Sequence, residues 1–110
     1  MTVRAVPSTP VLPEARRPSV RTVAEVLARD VTCTFPSCAA PAFRCDLDHV
    51  VAPRPGDDAA QGADNLVVLC RHHRVVRARD GWRPALLHDG TVRWTAPSGH
   101  TYVRAVARPA

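Results

Sequence analysis

Two short stretches carry the residue types that hold metal. Cys33 and Cys38 stand at either end of "CTFPSC", and Cys70 and His73 stand three positions apart in "LCRHH". Thiolates and imidazoles paired at such spacings are the donors that zinc takes in a closed tetrahedron, with Zn–S near ~2.3 Å. The two pairs are about thirty residues apart, so one ion would tie two distant loops together. Three thiolates and one neutral imidazole leave a net charge of about −1 around Zn²⁺, which suits a structural ion and does not itself attract DNA. Cys45, the fourth cysteine, lies on the apolar side of an alternating run and is read as a small core residue.

A second constellation lies between these half-sites. "DLDHVV" brings Asp48 and His49 to the end of a strand, and Asn65 opens "NLVVL". Asp48 is a hard oxygen donor suited to Mg²⁺ or a similar divalent ion, and His49 is placed to take a proton from water as general base. The amide of Asn65 would fix the tautomer of His49 or brace the loop. Together these groups could hold one cation against a scissile phosphate.

The adjacent histidines leave two registers open. Neighbouring helical residues point about 100° apart, so whichever residue follows the metal-binding histidine faces the hairpin. With His73 on the metal that residue is Arg74, and with His72 on the metal it is His73. Cys70 and His73, at i and i+3, share one helical face, which favours His73. Arg74 cannot coordinate a cation and would repel one, though it can bind a phosphate. Arg77, one turn on, reads equally as a phosphate contact or a solvated charge.

The elements that must position these groups are short. Residues 1–19 hold four of the eleven prolines and read as a disordered or extended Pro/Arg-rich arm, leaving one domain over 20–110. Val23, Val26 and Leu27 recur at helical spacing over residues 20–29, with Thr22 as N-cap and Glu25 completing a capping box. "AFRCDLDH" alternates Phe43, Cys45 and Leu47 against charged residues, the period of a half-buried strand. A Pro/Gly/Asp-rich loop over 53–64 leads into "LVVL", the second strand of a wide hairpin. A helix then runs from Cys70 to about Arg79 and ends at Gly81, and Asp89-Gly90 marks a C-terminal hairpin followed by a further strand in "SGHTYVRAV". The sum is an α+β fold. Trp82 and Trp94 read as core or platform residues, His88 and His100 as exposed.

Composition sets the bounds. A chain of 110 residues with two Trp, two Phe and one Tyr builds a thin core, which a metal would reinforce. All fifteen basic residues are arginines, and the net charge of +5 points to an acidic partner such as a nucleic acid. Residues 1–22 carry four Arg and one Glu, so much of the excess lies in the arm. The chain holds no membrane-length apolar run and no signal-peptide architecture, so a cytoplasmic protein is expected, with thiols reduced and free for metal.

Taken in order, "RDVTCTFPSC", "RCDLDHV", "DNLVVLCRHH", "GW" at 81–82 and "DGTVRWTAPSGHTY" at 89–102 resemble the HNH endonucleases of the ββα-metal superfamily. The nearest likeness is to the HNH domains found at the C-terminal end of actinobacterial proteins with a long N-terminal region of unknown function. The likeness covers roughly residues 29–102. It implies a small zinc-stabilised ββα-metal fold with an N-terminal helix and a C-terminal hairpin. His49 matches the general base, Asp48 the catalytic-metal ligand and Asn65 the central Asn, while Cys33, Cys38, Cys70 and His73 match the structural zinc ligands. The family pattern continues with a second histidine that holds the catalytic ion, and here that position is Arg74. The activity implied is hydrolysis of DNA phosphodiesters with Mg²⁺ or another divalent cation. The alternatives are a non-cleaving zinc-stabilised module that binds nucleic acid through Arg74 and Arg77, and a structural zinc module joining protein partners. An upstream domain of a longer protein is a further expected partner.

Overall fold

A computed structural model describes residues 17–56 and 61–106. The expected arm over 1–19 lies outside them apart from its last three residues. The first helix, α1, spans Val20–Asp30 and is capped by Ser19, whose side chain accepts from the Thr22 N–H at 3.1 Å. Thr22 was expected as the cap. It lies inside the first turn as the donor, because Ser19 is the residue with extended backbone, φ −67° and ψ 160°.

Two antiparallel sheets complete the α+β architecture. Strands β1 (Asp46–His49) and β2 (Leu66–Leu69) pair with Asp46 opposite Leu69 and His49 opposite Leu66. Helix α2 (Arg71–Asp80) follows, closed by Gly81 at φ 82°, the left-handed cap expected there. Strands β3 (Arg83–Leu86), β4 (Val92–Thr95) and β5 (Thr101–Arg104) form the second sheet in that order, with Asp89-Gly90 turning the first hairpin. Among the described residues no helix is long and apolar enough to cross a membrane.

The run "LVVL" has no polar partner in its alternation because β2 is buried on both faces. Leu66 and Val68 pack with Val26 of α1, Ala42 and Leu47, while Val67 and Leu69 pack with Cys33, Val92 and Trp94. The first sheet is thus a slab between α1 and the metal-ligand side. Cys45 touches both clusters, as expected of a small core residue. Trp94 is fully buried, and its indole N–H donates to the Thr34 carbonyl at 2.9 Å.

Phe43 departs from expectation, since it is 82 % exposed and not on the strand's inner face. Pro41 starts a 3₁₀ turn over Ala42–Arg44, and Ala42 N–H bonds to the Val31 carbonyl at 2.8 Å. That bond seats Ala42 in the core and turns Phe43 outward, so strand alternation begins only at Asp46.

A buried carboxylate joins the layers. Asp30 at the end of α1 accepts from Arg29 Nε at 2.7 Å and from the Val68 N–H of β2 at 2.9 Å. Arg104 of β5 donates to the Asp30 carbonyl and to Thr32 Oγ1. A fully buried Asp is tolerated because its oxygens are spent on charge-assisted and backbone bonds.

Candidate metal centre and adjoining groove

The "CTFPSC" turn is folded by its own backbone. Cys33 N–H bonds to the Ala40 carbonyl at 2.8 Å, Cys38 N–H to the Phe35 carbonyl at 3.1 Å, and Ser37 takes φ 66°. Both thiols are thereby turned toward the start of α2. There Cys70, leaving β2 with φ −69° and ψ 161°, is the N-cap residue, and its carbonyl accepts from Arg74 N–H at 3.0 Å. One turn on, His73 directs Nδ1 at the thiols, 3.3 Å from Cys70 Sγ and 3.7 Å from Cys33 Sγ.

These four donor atoms, one each from Cys33, Cys38, Cys70 and His73, lie within 4.8 Å of one another. A tetrahedral zinc with Zn–S near ~2.3 Å and Zn–N near ~2.0 Å spaces its ligand atoms roughly 3.5–3.8 Å apart, so the set can hold a metal ion such as zinc. The electrostatics of the metal-free pocket agree with this. Burial pushes the Cys33 thiol from 9.0 up to about 12, and burial, then His72, pushes the His73 imidazole below its ordinary 6.5. For a buried thiol such as Cys33, which resists ionisation, a bound dication would supply the missing counter-charge.

His73 is the histidine of the cluster. Phe35 stacks on its ring, with centroids 4.1 Å apart and planes 7° from parallel, and Trp82 and Trp94 back Phe35 at 4.7 and 5.2 Å. His72 is exposed. Cys45 stands outside the set, its Sγ–H directed to the Pro41 carbonyl at 3.3 Å.

Beside the cluster, β1 and α2 enclose a groove of about 670 Å³ whose polar walls are Asp46, Asp48, His49, Arg71, Arg74 and Arg77. Asp46 and Asp48, two apart on β1, both face α2. Arg74 Nη1 donates to Asp46 Oδ2 at 3.2 Å, and Arg77 Nη1 donates to Asp48 Oδ2 at 2.8 Å. Arg77 also donates to the His49 carbonyl at 2.7 Å and the Val50 carbonyl at 3.0 Å. It therefore clamps the end of β1 to α2 and is not held out toward solvent as a phosphate contact.

Asn65 takes the second of its two expected roles. Its Oδ1 accepts from Val51 N–H and its Nδ2 donates to the Val51 carbonyl, both at 2.9 Å, which braces the loop after β1. His49 Nε2 meets Gln61 Oε1 at 3.0 Å. Gln61 sits in a loop without periodicity, so no sequence signal marks it. Asp46 was legible in principle, as the other polar residue on the face of Asp48.

The groove does not fit a divalent cation. The one carboxylate expected to bind it, Asp48, is engaged by Arg77, and the guanidinium of Arg74 occupies the wall opposite β1. Among the described residues the Cys/His cluster is the one group of three or more His, Cys, Asp or Glu side chains close enough to share an ion.

No family model matches the chain, and no solved structure matches it. Three curated proteins of Mycobacterium tuberculosis are similar over 87 residues, 78 % of this chain. "Uncharacterized protein Rv3776" of strain H37Rv is 44 % identical, and "Uncharacterized protein MT2160" of strain CDC 1551 and "Uncharacterized protein Rv2100" of H37Rv are each 47 % identical. The matched segment spans 15 to 16 % of those proteins.

Proposed function

We propose that the chain is a zinc-stabilised HNH-type domain of the ββα-metal kind that binds the phosphodiester backbone of DNA in the groove between β1 and α2, without metal-assisted cleavage. The observation that carries this reading is the groove's charge arrangement. It is a hairpin-and-helix cleft in which arginines of α2 neutralise both carboxylates of β1. A cleft of that kind accepts an anion and disfavours a second cation.

Each residue has a part in this reading. Cys33, Cys38, Cys70 and His73 hold zinc, which supplies a structural tie between the "CTFPSC" turn and α2. Phe35 fixes the imidazole plane, and Arg77 and Asp48 set the width of the groove. Arg74 is the cation available to a phosphate oxygen. In this reading the domain works in the cytoplasm as one part of a longer protein, as the matched segment is in the proteins it is similar to.

An endonuclease is the second reading, and the contact between His49 and Gln61 favours it. If His49 Nε2–H donates to the Gln61 amide oxygen, Nδ1 is left to accept a proton from water, as general-base hydrolysis requires. One pair of assays separates the readings. Zinc-loaded protein is titrated against a labelled duplex across a salt series, and a supercoiled plasmid is incubated with the protein and Mg²⁺ or Mn²⁺. Binding that weakens steeply with salt, with nicking no greater than that of His49→Ala, is the expected result. Nicking abolished by His49→Ala would establish the endonuclease, and the absence of salt-dependent binding would remove the nucleic-acid reading altogether.

A further inference from the structure

We infer that Arg74 and Arg71 form the phosphate-binding pair of the groove, and that their grip on a DNA phosphodiester needs no divalent cation. The inference rests on the nucleic-acid reading above and assigns the contact within it.

Arg71, Arg74 and Arg77 follow one another at three-residue steps along α2, and all three line the groove. They are not equivalent. Arg77 spends its guanidinium on three acceptors of its own chain. Arg74 makes one bond, from Nη1 to Asp46, and its Nε is buried with no hydrogen-bond partner among the described residues. A guanidinium carries five N–H donors in a rigid fork, so beside the buried Nε three of Arg74's remain on its Nη atoms. Its side chain is 31 % exposed, which leaves it reachable from the groove. Arg71, the first residue of α2, is exposed, and its side chain makes no hydrogen bond or ion pair among the described residues. The donors not spent within the fold therefore lie on Arg74 and Arg71.

The charge balance identifies the ligand. Three guanidiniums face two carboxylates, each already paired once. The groove carries about one excess positive charge, which a phosphodiester's single negative charge neutralises. A divalent ion would raise that excess to about three beside three guanidiniums. Asp46 holds Arg74 from across the groove, so the fork is oriented before the ligand arrives, and an oriented guanidinium loses less entropy on binding a phosphate than a free one does.

The test measures duplex binding by fluorescence anisotropy on the zinc-loaded chain, in resin-treated buffer and with Mg²⁺ added at matched ionic strength. The dissociation constant should agree within twofold between the two buffers. Arg74→Gln should weaken binding by about tenfold and lower the salt slope by about one, Arg74→Lys should recover part of the loss, and Arg79→Gln should change little. The Co²⁺-thiolate spectrum of each variant checks that the metal centre is intact. Tightening by Mg²⁺ of tenfold or more, or unchanged binding in Arg74→Gln, would overturn the inference while leaving nucleic-acid binding in place. Displacement of the duplex by inorganic phosphate at equal phosphate concentration would assign the pair to a free anion and overturn it likewise. A duplex that fails to bind under any condition would remove both.

Discussion

Loading the cluster with zinc should release protons, and the ligand set predicts how many. Cys33 has no exposed surface, and burial pushes its thiol from 9.0 up to about 12. A shift of about three units means that on the order of 4 kcal/mol of the metal's binding energy goes into ionising this one ligand inside the fold. His73 is displaced the other way, its charged form disfavoured by burial and by His72, so it meets the metal already neutral at pH 7. Zinc binding at pH 7 should therefore release about three protons per ion, one from each thiol and none from the imidazole. The apparent affinity should climb roughly thousandfold per pH unit while all three thiols are protonated in the free protein. Isothermal titration in buffers of different ionisation enthalpy reads the proton count, and competition with a chromophoric chelator reads the affinity. Cys33→Ser should lower the count to about two, and Cys45→Ala should leave it at three. A wild-type count of two or fewer, or a loss in Cys45→Ala, would refute the ligand assignment.

Three other outcomes follow from the packing. The metal-free protein should lose stability as pH rises from about 9 to about 12, because Cys33 keeps its proton in the fold after the unfolded chain has given it up. A raised pKa contributes stability that is complete below 9 and gone above 12, and urea midpoints of the stripped protein at several pH values measure it. Trp94→Phe deletes a fully buried indole N–H bond and leaves the Thr34 carbonyl unpaired, which should cost about 2–3 kcal/mol in urea unfolding of the metal-loaded protein. Arg77→Met should cost about 1–2 kcal/mol, since Asp48 and the His49 and Val50 carbonyls lose their donor at a partly exposed site, and hydrogen exchange should accelerate at Val50 and Val51 before it does in β2.

The parts legible in the sequence were those whose signal is local. Cys33, Cys38, Cys70 and His73 declare themselves by spacing, Gly81 by the cap it completes, and Asp89-Gly90 by the turn it makes. The choice of His73 over His72 followed from a helical face. What escaped depended on tertiary detail. Phe43 kept the alternation of a strand, but one backbone bond from Ala42 to Val31 turned it outward. Ser19 took the cap from Thr22 because the chain entered the helix one turn earlier. Arg77 and Asp48 could each be assigned a ligand from sequence, yet across the groove they satisfy one another, and pairing between residues 29 positions apart leaves no mark on either neighbourhood.

Cys70 belongs to three things at once: it ends the hairpin, begins α2 and lends its sulfur to the cluster. A residue with those attachments works as a pivot, because the angle at which α2 leaves β2 sets how far Arg74 stands from Asp46. A metal held by the cluster would therefore fix the root of the groove, although none of the polar groove residues is a member of the cluster.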